Sequence, residues 1–135
     1  MTTLSDSDRV RLPGLLLIDP DPRARDFLSR VLEEHGWHVW AADGATAVET
    51  YQQARDLIDV ALVDLQLPGL QGARVLAELG QIDPALTRCA MSADVTPYTA
   101  SAFRRLSDTP LFAKPLNVPA LAFALHEMMA AAVRR

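Results

Sequence analysis

Four polar side chains each follow a short apolar run along the sequence. They are Asp19, Asp64, Ser92 and Lys114. Two carboxylates, a hydroxyl and an ammonium suit the handling of a phosphoryl group, because a cation and the ammonium can screen the phosphoryl oxygens while a carboxylate attacks phosphorus. Asp64 is the candidate nucleophile, since it follows the apolar run 60–63 and the chain turns shortly after it.

A pair of carboxylates at one site needs a counter-charge. Two carboxylates about 4 Å apart repel by roughly 4 kcal/mol at an effective dielectric constant near 20. They therefore favour a cation between them, and Mg²⁺, which prefers oxygen ligands, fits Asp19 and Asp64.

The elements that must position these side chains alternate between strand and helix. The apolar runs predict five buried strands, at 15–18, 38–42, 60–63, 87–91 and 111–113. Helical periodicity and end signals predict five helices, at 22–35, 45–54, 72–79, 98–106 and 117–133. This alternation predicts an α/β fold, a flavodoxin-like (βα)5 three-layer sandwich with a parallel five-stranded sheet in the order 2-1-3-4-5.

That strand order brings the four side chains to one edge of the sheet. The first and third strands are neighbours, so Asp19 and Asp64 face one crevice at the point where the strand order reverses. Ser92 ends the adjoining fourth strand and Lys114 follows the fifth. The sequence therefore predicts a single site built from four loops.

Composition limits the classes of function. The chain has 135 residues, 50% of them hydrophobic and 22% charged, which fits one soluble domain. A net charge of -4 and a pI near 5.2 argue against nucleic-acid binding. A single cysteine, the absence of a signal peptide and the lack of a long apolar run predict a cytoplasmic protein that does not enter a membrane. We expect residues 1–12 to be a disordered lead-in and 13–135 to form the domain.

Four motifs together resemble the receiver domain of two-component response regulators, and the chain is similar to the single-domain chemotaxis response regulator. The motifs are Asp19 after an apolar strand, Asp-Leu-Gln-Leu-Pro-Gly-Leu-Gln-Gly at 64–72, Met91-Ser92-Ala93, and Lys114-Pro115. They occur in the family's order and cover nearly the whole chain. The resemblance implies that Asp64 accepts a phosphoryl group from a sensor histidine kinase or a histidine phosphotransfer protein. It also implies that Ser92 and Lys114 bind that group, and that the Lys114-Pro115 bond is cis.

The metal site implied by the resemblance is incomplete in this chain. Its ligands would be Asp19, Asp64 and the backbone carbonyl of Gln66. The family usually places a second acidic residue where Pro20 stands, and proline has neither a side-chain oxygen nor an N–H. Mg²⁺ binding should therefore be weak. Asp21 could join the metal only by leaving the helix N-cap that its position before Pro22 predicts.

Two further positions depart from the family pattern. The family usually has a Tyr or Phe three residues before the lysine, where its ring rotates as the signal passes, and here that position is Leu111. Phe112 is next to it but should face the other side of the sheet. Gln71 stands where the family often has Asp. The usual aromatic switch is therefore expected to be absent.

Two alternatives remain at the sequence level. Pro20 and Leu111 suit a pseudo-receiver, which keeps the fold and binds partners without phosphorylation. Leu17-Ile18-Asp19-Pro20-Asp21 also resembles the haloacid-dehalogenase phosphatases, in which Asp19 would be the nucleophile. That reading lacks a downstream acidic pair for Mg²⁺ and the small residue expected where Arg23 stands.

Several other residues are predicted to have packing roles and no part in the chemistry of the site. Trp37, Trp40 and Cys89 are predicted to pack in or near the core. Three histidines lack the spacing of metal ligands and are assigned no chemistry: His35, His38 and His126. The last helix has an uncharged outer face with Phe123 on it, which predicts a surface for a downstream partner or a homodimer together with the fifth strand. The alternative is that Phe123 packs under the helix at 98–106.

Overall fold

Every strand and all but one of the predicted helices lie within the part of the chain that the computed structural model describes, which comprises residues 11–66, 71–96, 101, 103, 104 and 109–133. The strands are β1 (Gly14–Ile18), β2 (His38–Ala42), β3 (Val60–Asp64), β4 (Thr87–Ser92) and β5 (Leu111–Ala113). The helices are α1 (Pro22–Glu34), α2 (Ala47–Gln53), α3 (Gln71–Ile82) and α4 (Val118–Val133). A short 3-10 turn covers Arg55–Leu57.

The five strands form one parallel sheet in the order β2-β1-β3-β4-β5, as the sequence predicts. Ile18 in β1 pairs with Ala42 on one side and with Val63 on the other. On the far side of β3, Asp64 pairs with Met91. Because all strands run in the same direction, their C-terminal ends meet at one edge of the sheet.

Helices cover both faces of the sheet and bury two apolar clusters. Successive strand residues point to opposite faces, so Leu16 and Ile18 join one cluster while Leu15 and Leu17 join the other. The first cluster also takes side chains from α2 and α3, and the second from α1 and α4. The fold is therefore the predicted three-layer sandwich.

The ends of α1 follow the signals in the sequence. Asp21 caps the helix by accepting a hydrogen bond from the Arg23 N–H at 2.9 Å, and Pro22 occupies the first helical position. At the other end Gly36 adopts a positive φ of 92°, which suits glycine because it lacks a Cβ. The helix ends at Glu34, one residue before the predicted end.

Helical periodicity in the sequence places Phe27 on the same apolar face of α1 as Leu28 and Leu32, and this prediction is wrong. Phe27 has 60% of its surface exposed, whereas Leu28 and Leu32 are buried. The core-facing stripe of this helix is narrow, and its centre passes through these two leucines, one turn apart. Phe27 lies about 100° around the helix from Leu28, which places it on the solvent side.

Other helix boundaries differ from the predictions for local reasons. Helix α2 starts at Ala47 because the Asp43 carboxylate accepts hydrogen bonds from both the N–H and the hydroxyl of Thr46, which holds 43–46 in a turn. Helix α3 extends to Ile82. The helix predicted at 98–106 lies mostly outside the described residues, although Ser101, Phe103 and Arg104 are helical.

The predicted packing residues lie where expected. Trp37 and Cys89 are buried in the cluster under α1 and α4, and Cys89 is a free thiol. Trp40 is half-buried against the other cluster and stacks on His38, with ring centroids 4.1 Å apart. No helix in the described parts of the chain combines the length and the apolar character needed to cross a bilayer.

Candidate functional site

Asp19 and Asp64 lie side by side at the C-terminal edge of the sheet. Ile18 and Val63 are paired across the two strands, and each is followed by one of the aspartates. The strand register therefore places the two aspartates next to each other, at the same height along the strands. Both are almost completely buried, with 1% and 2% of their surfaces exposed. Ser92 is buried at the end of the adjoining strand β4. The structure therefore brings together the residues that the sequence singled out.

Lys114 completes this group by bridging the two carboxylates. Its Nζ donates hydrogen bonds to Asp64 Oδ2 at 2.7 Å and to Asp19 Oδ2 at 2.9 Å. Burial by itself lowers the pKa of Lys114, but the hydrogen bonds and charges of Asp64 and Asp19 outweigh it and raise the pKa above its ordinary value. The side chain therefore carries a positive charge at neutral pH.

The backbone holds Lys114 next to Ser92. The Lys114 N–H donates to the Ser92 carbonyl at 2.9 Å, which continues the β4–β5 ladder by one residue. The Lys114-Pro115 peptide bond is cis, as the resemblance implies. Lysine, serine and acid pair are thus fixed by four neighbouring strand ends.

Main-chain N–H groups donate hydrogen bonds to the second oxygen of each carboxylate. Asp19 Oδ1 accepts from the Asp21 N–H at 2.9 Å, and Asp64 Oδ1 accepts from the Gln66 N–H at 2.8 Å. Together with Lys114, these donors give every carboxylate oxygen of the pair a hydrogen bond. The loops after β1 and β3 therefore fix the orientation of both side chains.

A Mg²⁺ ion at this group would draw on two carboxylates and one carbonyl. Asp19, Asp64 and the backbone carbonyl of Gln66 supply the hard oxygen ligands that Mg²⁺ prefers. Pro20 adds no ligand, and Asp21 is exposed at the start of α1 as its N-cap. Within the described residues, no group of three or more His, Cys, Asp or Glu side chains is placed to hold a metal ion.

Two polar contacts at the site were not predicted from the sequence. The Gln66 side chain reaches across to β4, where its Oε1 accepts from the Ala93 N–H at 3.1 Å. Arg25 reaches back from α1 and donates from Nη1 to the Asp19 carbonyl at 2.7 Å. Gln66 lies between two leucines and Arg25 in a polar stretch, and neither local sequence indicates which backbone atom the side chain binds.

Helix α3 starts in direct contact with the backbone of the candidate nucleophile. A Cβ added at Gly72 would lie 2.5 Å from the Asp64 carbonyl oxygen and 2.9 Å from the Leu65 Cα. Only glycine therefore allows this close approach. The preceding residue, Gln71, packs its side chain against Gly44 in the loop after β2.

The residues around the expected switch position face as predicted. Leu111 is half-buried against the cluster under α2 and α3, and Phe112 packs against the opposite cluster. Leu111 pairs with Ala90, two residues before Ser92. At the expected switch position, the side chain on the α2–α3 face of the sheet is therefore an aliphatic one, that of Leu111.

Comparison with known sequences assigns the family. The profile described as the response regulator receiver domain matches residues 15–126. The sensory/regulatory protein RpfC of Xanthomonas campestris is 31% identical over 124 residues, which cover 89% of this chain and 17% of RpfC. The response regulator receiver protein CpdR of Brucella abortus is 33% identical over 106 residues, which cover 78% of this chain and 83% of CpdR.

Solved structures share the fold. A response regulator receiver domain from Clostridium thermocellum superposes with a TM-score of 0.79 and 21% identity, covering 89% of this chain and 96% of that one. A CheY-like receiver domain from Methanospirillum hungatei gives a TM-score of 0.75 and 22% identity, covering 91% and 98%. With the profile spanning most of the sequence and CpdR matching it over most of both lengths, the chain belongs to the response regulator receiver domain family.

Proposed function

We propose that Asp64 is the phosphoacceptor of this receiver domain. The observation that carries the proposal is the bridge from Lys114 to Asp64 and Asp19, which places an ammonium and a second carboxylate at the candidate nucleophile. Ser92 lies at the end of the neighbouring strand, where its hydroxyl would bind a phosphoryl oxygen. The site thereby combines a nucleophile with fixed groups that stabilise phosphoryl charge.

The donor in this proposal is a phosphohistidine of a sensor histidine kinase or a histidine phosphotransfer protein. A carboxylate oxygen of Asp64 forms a bond to phosphorus as the bond from phosphorus to the imidazole nitrogen breaks. The electron pair of that bond stays on the nitrogen, which then takes up a proton. Lys114 neutralises charge on the transferred group, and Ser92 donates a hydrogen bond to it.

Mg²⁺ would be held by Asp19, Asp64 and the carbonyl of Gln66. A bound Mg²⁺ would screen negative charge on the phosphoryl oxygens during transfer. Asp21 stays with α1, since its carboxylate already caps the helix. We expect this metal to bind weakly, because Pro20 contributes no ligand.

The experiment that tests the phosphoacceptor is intact-protein mass spectrometry after incubation with acetyl phosphate and Mg²⁺. The expected result is the addition of one phosphoryl group, and its loss in Asp64→Asn. Asp56→Asn is the matched control, because Asp56 is an exposed aspartate of the 3-10 turn. Labelling that persists in Asp64→Asn would contradict the assignment.

Two further outcomes would favour the rival functions. Pro20 and Leu111 are the observations that favour a pseudo-receiver, and a chain that never accepts the label while still binding a partner would support that function. A haloacid-dehalogenase-like phosphatase would use Asp19 instead. Labelling that survives Asp64→Asn, disappears in Asp19→Asn and accompanies phosphatase turnover would support the enzyme.

The output of the domain is a change in affinity for another protein. We place it in the cytoplasm, with residues 13–135 as the receiver domain after a lead-in of 1–12. The output surface is the outer face of α4 with β5, which would bind a downstream partner or a second copy. Because Leu111 replaces the usual aromatic, the signal passes through the loops around Ser92 and not through a rotating ring.

A further inference from the structure

A groove of about 1080 Å³ lies at the opposite end of the sheet from the acid pair. Its walls come from α3, the segments that lead into β4 and β5, and the C-terminal part of α4, with Phe103 beside them. This volume is large enough for a small-molecule ligand, since such sites usually have about 300–1,000 Å³. Of the described residues that line the groove, two are threonines, none is acidic, only Arg88 is charged, and the rest are apolar.

Arg88 lines this groove from the sheet. It is the second residue of β4 and lies on the face that α3 covers, because Ala90, two residues further on, packs in the cluster under α2 and α3. Arg88 Nη1 donates a hydrogen bond to the Leu76 carbonyl of α3 at 2.6 Å. A Cβ added at Gly80 would lie 2.5 Å from Nη1 and 2.6 Å from Cζ, so this glycine leaves the space that the guanidinium fills. The guanidinium is therefore held against the backbone of α3.

The positive charge of Arg88 has no carboxylate to balance it. The side chain is partly buried, and within the described residues it makes no ion pair and no hydrogen bond besides the one to Leu76. Its Nε and Nη2 groups form one edge of the guanidinium, and neither has an acceptor among those residues. Such an edge matches the two oxygens of a carboxylate. The groove therefore offers a two-pronged donor to an acid group.

The remaining surface of the groove suits an apolar chain. Ala73 and Ala77 are exposed one turn apart on α3, and Phe103 and Met128 add larger apolar side chains. Transfer of a hydrocarbon chain from water to such walls is favourable in proportion to the apolar area that it covers. A ligand with an acid group at one end and a hydrocarbon chain at the other would satisfy both parts of the groove.

We propose that this groove binds a small aliphatic carboxylate, with the acid group on Arg88 and the hydrocarbon chain along the apolar walls. The carboxylate oxygens accept hydrogen bonds from Arg88 Nε and Nη2. One positive charge among apolar walls favours a monoanion, because a second negative charge would stay unpaired. The site lies at the other end of the sheet from Asp64, so it stands independently of the proposed phosphoacceptor.

The test is an NMR titration of the ¹⁵N-labelled chain with decanoate below its micellar concentration. We expect saturable shifts of the Ala77 and Gly80 amide signals and of the Arg88 Nε–H signal. Arg88→Met should weaken the binding at least about tenfold, because the charge-assisted hydrogen bonds are lost. Decanamide, the uncharged analogue, should bind the unmodified chain more weakly by a similar factor. Arg74→Met is the matched control, since Arg74 is an exposed cation of α3 outside the groove.

A second variant keeps Arg88 and fills the groove instead. Ala77 is exposed, so Ala77→Phe adds a ring to the groove without disturbing the core. We expect this variant to bind decanoate at least about tenfold more weakly. Glu78→Phe places the same ring on the neighbouring exposed position, outside the groove, and should not weaken the binding.

Three outcomes would overturn the proposal. The first is equal binding of decanoate by Arg88→Met, or equal binding of decanamide and decanoate by the unmodified chain. The second is a set of shifts that never saturates or persists unchanged in Ala77→Phe, which would show non-specific binding of a detergent-like anion only. The third is a loss of decanoate binding as the chain dimerises at higher protein concentration, which would assign the groove to a second copy. Urea unfolding checks that each variant folds, and Ala77→Phe decides the question if Arg88→Met does not.

Discussion

At the residue scale, we expect Pro20 to limit the affinity of the site for a metal ion. It is exposed next to the buried Asp19 and has no side-chain oxygen to offer a metal. We predict that Pro20→Asp raises Mg²⁺ affinity by about tenfold or more, equivalent to about 1.4 kcal/mol, because the new carboxylate supplies both a ligand and the missing negative charge. Calorimetric titration of both proteins measures the change.

Asp21 provides the control for this prediction. Its carboxylate accepts from the Arg23 N–H and so stabilises α1. Asp21→Ala should lower the free energy of unfolding by about 1 kcal/mol in a urea titration and leave Mg²⁺ affinity unchanged. Loss of Mg²⁺ binding in Asp21→Ala, together with no gain in Pro20→Asp, would show that Asp21 holds the metal.

The main residues of the site could be predicted from the sequence because each one ends an apolar strand. Asp19, Asp64 and Ser92 follow from the strand pattern and the strand order alone. The Gln66 and Arg25 contacts could not be predicted. Each joins a long polar side chain to a backbone atom in the loop after β1 or β4, and no periodicity in the sequence indicates such a pairing.

At the scale of elements, the start of α3 fixes the backbone of Asp64, the proposed phosphoacceptor. We predict that Gly72→Ala lowers the free energy of unfolding by about 1–3 kcal/mol, because the new Cβ would overlap the Asp64 carbonyl oxygen, a backbone atom with little room to move. Urea unfolding measures the loss. Phosphorylation by acetyl phosphate, followed by mass spectrometry, should also slow, because the overlap displaces the backbone of Asp64.

Gly80 is a matched control in the same helix. A Cβ there would lie 2.5 Å from Arg88 Nη1, at the far end of a flexible side chain. Arg88 can shift, and alanine is favoured over glycine inside a helix by about 1 kcal/mol. Gly80→Ala should therefore cost much less than Gly72→Ala, and an equal loss in the two variants would contradict the proposed role of Gly72.

Element types were predictable where periodicity is strong, and element ends were less so. The five strands and the start of α1 followed from apolar runs, Asp21 and Pro22. The start of α2 depended on two hydrogen bonds to Asp43, and the exposure of Phe27 depended on where the sheet lies beneath α1. The start of α2 and the exposure of Phe27 depend on contacts in the folded protein, and a local sequence pattern gives no information about such contacts.

At the scale of the whole molecule, α4 presents an apolar face to solvent. Phe123 has 68% of its surface exposed, and the helix at 98–106, under which the alternative prediction placed it, lies mostly outside the described residues. Ala120, Glu127 and Ala131 are exposed along the same side, so this face is apolar apart from Glu127, the one charged residue of the helix. An apolar face of this kind at the β5 edge of the sheet suits a protein partner.

We predict that Phe123→Glu weakens self-association or partner binding without unfolding the domain, because it replaces the large apolar side chain of that face with a second negative charge one turn from Glu127. Sedimentation equilibrium over a range of concentrations measures self-association, and thermal unfolding checks the fold. Phe27→Glu is the matched control, since Phe27 is similarly exposed on α1. A chain that is monomeric at all concentrations, and whose partner binding survives Phe123→Glu, would contradict the prediction.

The bridge made by Lys114 also bears on the order in which the protein folds. Its two hydrogen bonds join residues 95 and 50 positions apart in the chain, among the most distant contacts described here. During synthesis Asp19 and Asp64 leave the ribosome well before their counter-ion does. Contacts of such long range form late, so the acid pair gains its ammonium only when β5 docks on β4. Until that moment a nascent chain carries two facing carboxylates, and cations in the surrounding solution are what can relieve their repulsion.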